Sequence, residues 1–196
     1  FDFLAATAIP LIVGGFILAY PIIFVVSTPE YLSRLGEGFY GSDIAFQILV
    51  FALAFQFLNV LFAFILIALD KQTTLLKINA IGVVLNISLN LLVIPEYGFR
   101  GAALTSVLSE LYILTATYIA AKKSTQFSLN ISNLIKIILS AIIMGLSIKF
   151  LQPLTYSAIQ NWNIILLIPL GALIYTVALY QLNVIHTDMI GLLKRD

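Results

Sequence analysis

Long apolar runs that are almost free of charge constrain this chain more than any other feature. Six of them reach the roughly 20 residues that a helix needs to cross a hydrocarbon core. They fall at about residues 3–27, 43–69, 75–94, 101–121, 133–152 and 163–185. Each is apolar on all sides, which excludes the alternating pattern of a barrel strand. Helices satisfy their own backbone in lipid. The sequence therefore predicts an all-α fold, a multi-pass transmembrane bundle of six helices. Composition decides against a greasy soluble protein: only 10% of residues are charged and mean hydropathy is +1.08, where soluble domains are about a quarter charged.

Lysine and arginine placement sets the orientation. One side of the six runs holds Lys71, Lys77, Lys122, Lys123, Lys136, Lys194 and Arg195, and the other holds Arg34, Arg100 and Lys149. Seven cations against three place both chain ends in the cytoplasm. The opposite loops carry Tyr31, Phe39, Tyr40, Tyr97, Phe99, Tyr156 and Trp162, as an interfacial aromatic belt would. The stretch "STQFSLNISN" is the longest cytoplasmic connection. It divides four helices in 1–123 from a second part, 124–196, with two helices and a short tail that includes His186. The chain begins at Phe1 with neither methionine nor a charged n-region, the pattern expected of a piece of a longer protein.

Polar residues inside the runs are the candidates for chemistry. Asn79, Asn86 and Asn90 fall within about 20° of one another on the third helix. They either hydrogen-bond a neighbouring helix or line a hydrated cavity. Gln56 and Asn59 share a face of the second helix and carry the same two readings, whereas Gln47 points elsewhere. Glu110 lies about 13 Å from the outer end of the fourth helix at 1.5 Å per residue, close to the midplane. A carboxyl at that depth costs roughly 2.5–3.5 kcal/mol on insertion scales and should face protein or water. Ala102 and Ser106, at four-residue steps before it, make a small-residue ridge suited to close helix approach. Pro10 and Pro21 in the first run, and Pro169 in the sixth, predict kinks. Gly14 and Gly15 add a hinge near Pro10.

Other chemistry finds no support in the residues. The chain has no cysteine, so it has no disulfide or thiolate metal site. No metal-ligand cluster, nucleophile constellation or glycine-rich phosphate loop suggests a cofactor, and an active site would need convergent polar groups. An enzyme is not the reading. A net charge of +1 argues against a nucleic-acid partner.

The stretch "ALDKQTTLLKINAIGVVLNISLNLLVIPEYGFRGAALTSVLSE" resembles the C-terminal part of polysaccharide biosynthesis flippases of the Wzx type. These belong to the multidrug/oligosaccharidyl-lipid/polysaccharide exporter superfamily. The likeness rests on Asn86 and Asn90, on Pro95 with "YGFRGAA", on "SE" ending at Glu110, and on the closing "HTDMIGLLK". In that loop Pro95 would stop one helix, Gly98 would allow a positive-φ turn, and Gly101 would let the next helix start tightly, with Ala102 and Ala103 permitting close packing.

The resemblance implies the last six of fourteen helices: four from the second lobe, then an extra pair. The N-terminal lobe of the same protein would be missing, along with the cationic side chains that family members aim into their cavity. It also implies a lipid-linked sugar substrate, contact with membrane lipid, and translocation by alternating access for surface polysaccharide synthesis. A drug/cation antiporter of the same superfamily is the alternative, and a non-transporting membrane scaffold is a third.

Overall fold

A computed structural model describes residues 1–34, 36, 38–125 and 131–184. His186, Lys194, Arg195, the "HTDMIGLLK" tail and residues 126–130 of the long connection lie outside the described residues. The described chain is helical, with one isolated β-bridge between Arg34 and Phe39. Its helices are α1 (Asp2–Ile17), α2 (Ala19–Val26), α3 (Ser42–Ala68), α4 (Gln72–Ser124), α5 (Ile131–Ile159) and α6 (Ile164–Gln181). The all-α, membrane-spanning reading holds. Four helical stretches, Ser42–Ala68, Gln72–Ser124, Ile131–Ser157 and Gln160–Gln181, are long and apolar enough to cross a membrane, and α1 with α2 makes a bent fifth.

These six helices do not match the six sequence runs one to one. The first run breaks into α1 and α2, which meet at 78°. The break sits at Leu18 (φ −93°, ψ 12°), not at Pro10 or the glycine pair. Pro21 explains the position. Its ring excludes the carbonyl four residues back, which is that of Ile17, the last residue of α1. Pro21 itself falls in the first turn of α2, where a missing N–H costs nothing.

The third and fourth runs are the two helical arms of α4, which meet at the non-helical Gly98 (φ 57°, ψ −140°) and fold back on each other. Each arm has about 26 residues and a length of about 39 Å. Pro95 does not stop the first arm, which continues to the turn. Its fixed φ is compatible with helix, and only a backbone acceptor on the exposed arm goes without its donor. The positive-φ turn expected at Gly98 is present.

The helices form a row: first arm of α4, second arm of α4, α3, α1, α5 and α6. One apolar core joins Ala5, Ile137, Ala141, Met144, Ile148, Leu167, Tyr175 and Leu179 across α1, α5 and α6. A second joins Phe62 and Leu66 of α3 to Ala121 of α4, with the Phe62 and Tyr118 rings 5.2 Å apart. Glycines let the backbones approach, as small residues do at membrane helix contacts. A methyl added at Gly82 would stand 2.8 Å from Ile113, one at Gly145 2.6 Å from Val13, and one at Gly171 2.8 Å from Ile148. Outward faces expose Phe64, Leu91, Leu92, Leu146, Phe150 and Ile165. In water that surface would aggregate; in hydrocarbon it is the lowest-energy choice.

The two faces of the bundle, at opposite ends of the helices, differ chemically. At one end the Lys71 ammonium donates to the Ser124 hydroxyl at 2.8 Å, Asn133 Nδ2 donates to Asp2 at 2.6 Å, and Lys122 lies 5.5 Å over the Tyr118 ring. At the other end Arg100 lies 4.7 Å over Tyr40 and Arg34 5.2 Å over Phe39. Lys71 and Lys122 thus lie apart from Arg34 and Arg100.

Candidate functional site

Proline removes an amide donor from α1 and leaves a carbonyl to be satisfied elsewhere. Pro10 frees the Ala6 carbonyl, which accepts a 2.8 Å hydrogen bond from the Tyr175 hydroxyl of α6. The break at Leu18 leaves the Phe16 carbonyl outside the helical ladder, and Gln47 Nε2 of α3 donates to it at 3.1 Å. In lipid an unpaired backbone group costs several kcal/mol, so both partners are physically required. Sequence reasoning missed Tyr175, and it gave Gln47 no role. The prolines announced the free carbonyls, but only the packing of the row could name the donors.

Along the same face of α1 runs a groove of ≈ 870 Å³, within the usual range for small-molecule sites. Pro10, Gly14 and Gly15 form its floor, Val50 and Leu53 of α3 one wall, and Gly171 and Ala172 of α6 the other. Its polar lining is sparse: Thr7, Gln56, Ser106, Glu110, Tyr175 and Thr176. Glu110 is about 17 Å along the second arm from Gly98, near mid-depth. The carboxyl is half-buried, and no hydrogen bond or ion pair ties it to any described residue.

Two other carboxylates make the contrast. Asp43 is 5% exposed and accepts from the Ser33 amide at 2.9 Å and the Ser33 hydroxyl at 2.6 Å. Asp2 accepts from Asn133. Each of these two carboxylates has a donor, whereas Glu110 has none among the described residues.

The candidate residues from the sequence separate into three groups. Glu110 and Gln56 reach the groove. Asn86 and Asn90 do not; they lie between the arms of α4 in a closed ring of hydrogen bonds. Thr105 Oγ1 donates to Asn90 Oδ1, Asn90 Nδ2 to Asn86 Oδ1 at 2.9 Å, and Asn86 Nδ2 to Ser109 Oγ at 3.1 Å. Ser109 Oγ then donates to the Thr105 carbonyl at 2.8 Å. Of the two readings of the stripe, helix-to-helix bonding describes these two residues. Asn79, on the same stripe, is exposed and joins no described partner. Asn59 is parted from Gln56 and has a buried Oδ1 with no donor among the described residues.

The small-residue ridge needs a correction of one position. Ala102, Ser106 and Glu110 are not the packed face, since Ser106 and Glu110 open to the groove. Gly101, Thr105 and Ser109 are the buried row, and a one-residue step rotates a helix face by 100°. A methyl at Gly101 would meet the Val93 carbonyl at 2.9 Å. Gly101 thus sets the tight start expected of it, and Ala103 is buried at 3% exposure.

Comparisons with models of protein families, with curated proteins and with solved structures give no match for this chain.

Proposed function

We propose that this chain forms part of a membrane flippase that translocates a lipid-linked oligosaccharide by alternating access. The supporting observation is an unpartnered mid-depth carboxyl, Glu110, opening with Gln56 into an otherwise apolar groove. An amphiphile fits that distribution. Its hydrocarbon part matches the floor and walls made by Leu11, Leu49, Leu53 and Ile168, while hydroxyl-rich sugar meets the few polar side chains. An ionised carboxylate is acceptor-only, so Glu110 would accept from sugar hydroxyls and repel a phosphate, fixing which way the headgroup lies. The resemblance of residues 68–110 to Wzx-type flippases points to the same substrate class.

Glu110→Gln tests this reading in the full-length protein. The amide keeps the shape and much of the hydrogen bonding but removes the charge. Membrane insertion near the parent level with loss of most lipid-linked oligosaccharide translocation is expected. Normal translocation would reduce Glu110 to a structural carboxyl, and loss of the protein from the membrane would do the same. Selective loss of organic-cation efflux, with sugar translocation intact, would replace the flippase by a drug/cation antiporter.

A further inference from the structure

We infer that α1 is a movable floor of the groove, and that the Tyr175 hydroxyl is the latch holding it to α6. The inference stands whatever the groove carries. Three backbone defects lie in one short helix: Pro10, the Gly14–Gly15 pair and the break at Leu18. Each lowers the resistance of α1 to bending. Two of its carbonyls outside the helical ladder are held from opposite walls, Ala6 by Tyr175 of α6 and Phe16 by Gln47 of α3. Space at the hinge lies on the Gly14 side, where a methyl would find only the flexible end of Met144, 3.9 Å away, whereas one at Gly15 would stand 3.0 Å from Val50.

The two anchors differ in consequence. Gln47 holds α1 at the break, next to the turn into α2, where the chain direction changes anyway. Tyr175 holds the half of α1 that precedes Pro10, which is tied a second time, to α5, by the hydrogen bond that Asn133 donates to Asp2. The ring of Tyr175 is 7% exposed and packs in the core shared by α1, α5 and α6. Its hydroxyl reaches the one carbonyl that Pro10 deprives of its helical donor. Releasing that bond separates the first half of α1 from α6 and widens the groove beside Thr7 and Thr176. Closing it restores the hydrogen bond and narrows the groove. The latch exists because of the proline, so removing the proline should make it redundant.

That dependence gives the test. The chain has no cysteine, so spin labels can be placed at Phe3→Cys on α1 and Tyr180→Cys on α6, both well exposed. The full-length protein in lipid nanodiscs is measured by pulsed electron–electron resonance. The parent should give one narrow distance distribution. Tyr175→Phe, which keeps the ring and removes the hydroxyl, should add a longer population. Pro10→Ala restores an amide donor to the Ala6 carbonyl, so Pro10→Ala with Tyr175→Phe should return to a single narrow distribution. An unchanged distribution in Tyr175→Phe overturns the latch. So does a long population that survives in the double variant. Should Tyr175→Phe fail to accumulate, the double variant decides: recovery with a narrow distribution supports the latch, and failure of both overturns it.

Discussion

The ring formed by Asn86, Asn90, Thr105 and Ser109 makes a quantitative prediction about how α4 holds its fold. Asn90→Leu removes two bonds, one accepted from Thr105 across the arms and one donated to Asn86. Thr105 is not orphaned, because the Ala102 carbonyl lies 2.9 Å from its hydroxyl. Asn86 Oδ1 is left without a donor. The interhelical bond is worth about 0.6 kcal/mol on average in membrane proteins, with a maximum near 1.7, and a half-buried orphan acceptor adds a similar amount. A cost of about 1 kcal/mol follows. Asn86→Leu removes the bond to Ser109 and orphans Asn90 Nδ2, again costing about 1 kcal/mol, while Ser109 keeps its bond to the Thr105 carbonyl.

The double variant separates a ring from two independent bonds. With both asparagines replaced, no orphan remains on the first arm, and only the two interhelical bonds are lost. Its cost should be about 1.2 kcal/mol, well short of the roughly 2 kcal/mol given by adding the singles. Equilibrium unfolding in mixed micelles, titrated with sodium dodecyl sulfate, measures all three. Asn79→Leu is the control: exposed and without a described partner, it should change stability by less than about 0.5 kcal/mol. Strict additivity, or a cost at Asn79 equal to that at Asn86, would refute the closed ring.

Other expectations follow from single positions. Gly98→Ala should destabilise by about 1–3 kcal/mol through the backbone alone, since no atom lies within 4 Å of the added methyl; the same micelle titration reads it, and Gly98→Asn should cost less than Gly98→Val. Gly145→Val drives a branched side chain into Val13 and Ile17 and should cost about 1–3 kcal/mol, with loosened packing of α1 on α5 seen as faster hydrogen exchange in both helices. For orientation, single cysteines at Ser42, Ser124 and Ser157 should give position 124 protected from an impermeant thiol reagent outside the cell and positions 42 and 157 labelled; the reverse pattern inverts the topology.

The sequence carried the class of fold and the separation of charged ends because both follow from the solvent: a run of apolar residues long enough to span needs no knowledge of its neighbours. The turn at Gly98 was legible for a local reason, since only glycine enters that backbone region freely. What remained hidden depended on contacts between distant segments. The break at Leu18 needed Pro21 to be read against the carbonyl four residues before it, not as a kink at its own position. The packed ridge of the second arm was misplaced by one residue because Ala102–Ser106–Glu110 and Gly101–Thr105–Ser109 are equally small-rich, and only the position of the first arm chooses between them. Asn86 and Asn90 belong to a polar stripe in either reading; Thr105 and Ser109, 15 and 23 residues further along from their partners, decide which.

Hydrogen-bond accounting in a low-dielectric solvent ties these features together. Each proline or break in α1 creates a carbonyl without a helical donor, and a side chain from a neighbouring helix supplies the bond. Each amide between the arms of α4 is likewise matched, down to the hydroxyl that closes the ring. Among the described residues three polar groups stand outside that pattern: the buried Oδ1 atoms of Asn59 and Asn163, which have no donor, and the mid-depth carboxyl of Glu110, which opens to the groove. On the proposed function a substrate hydroxyl would supply the donor for Glu110 while the apolar walls meet the lipid part, and Gln56 would face the same ligand. Asn86 and Asn90 bond the two arms of α4 to each other. Replacing either ring asparagine should therefore lower stability while leaving any transport per folded molecule close to the parent.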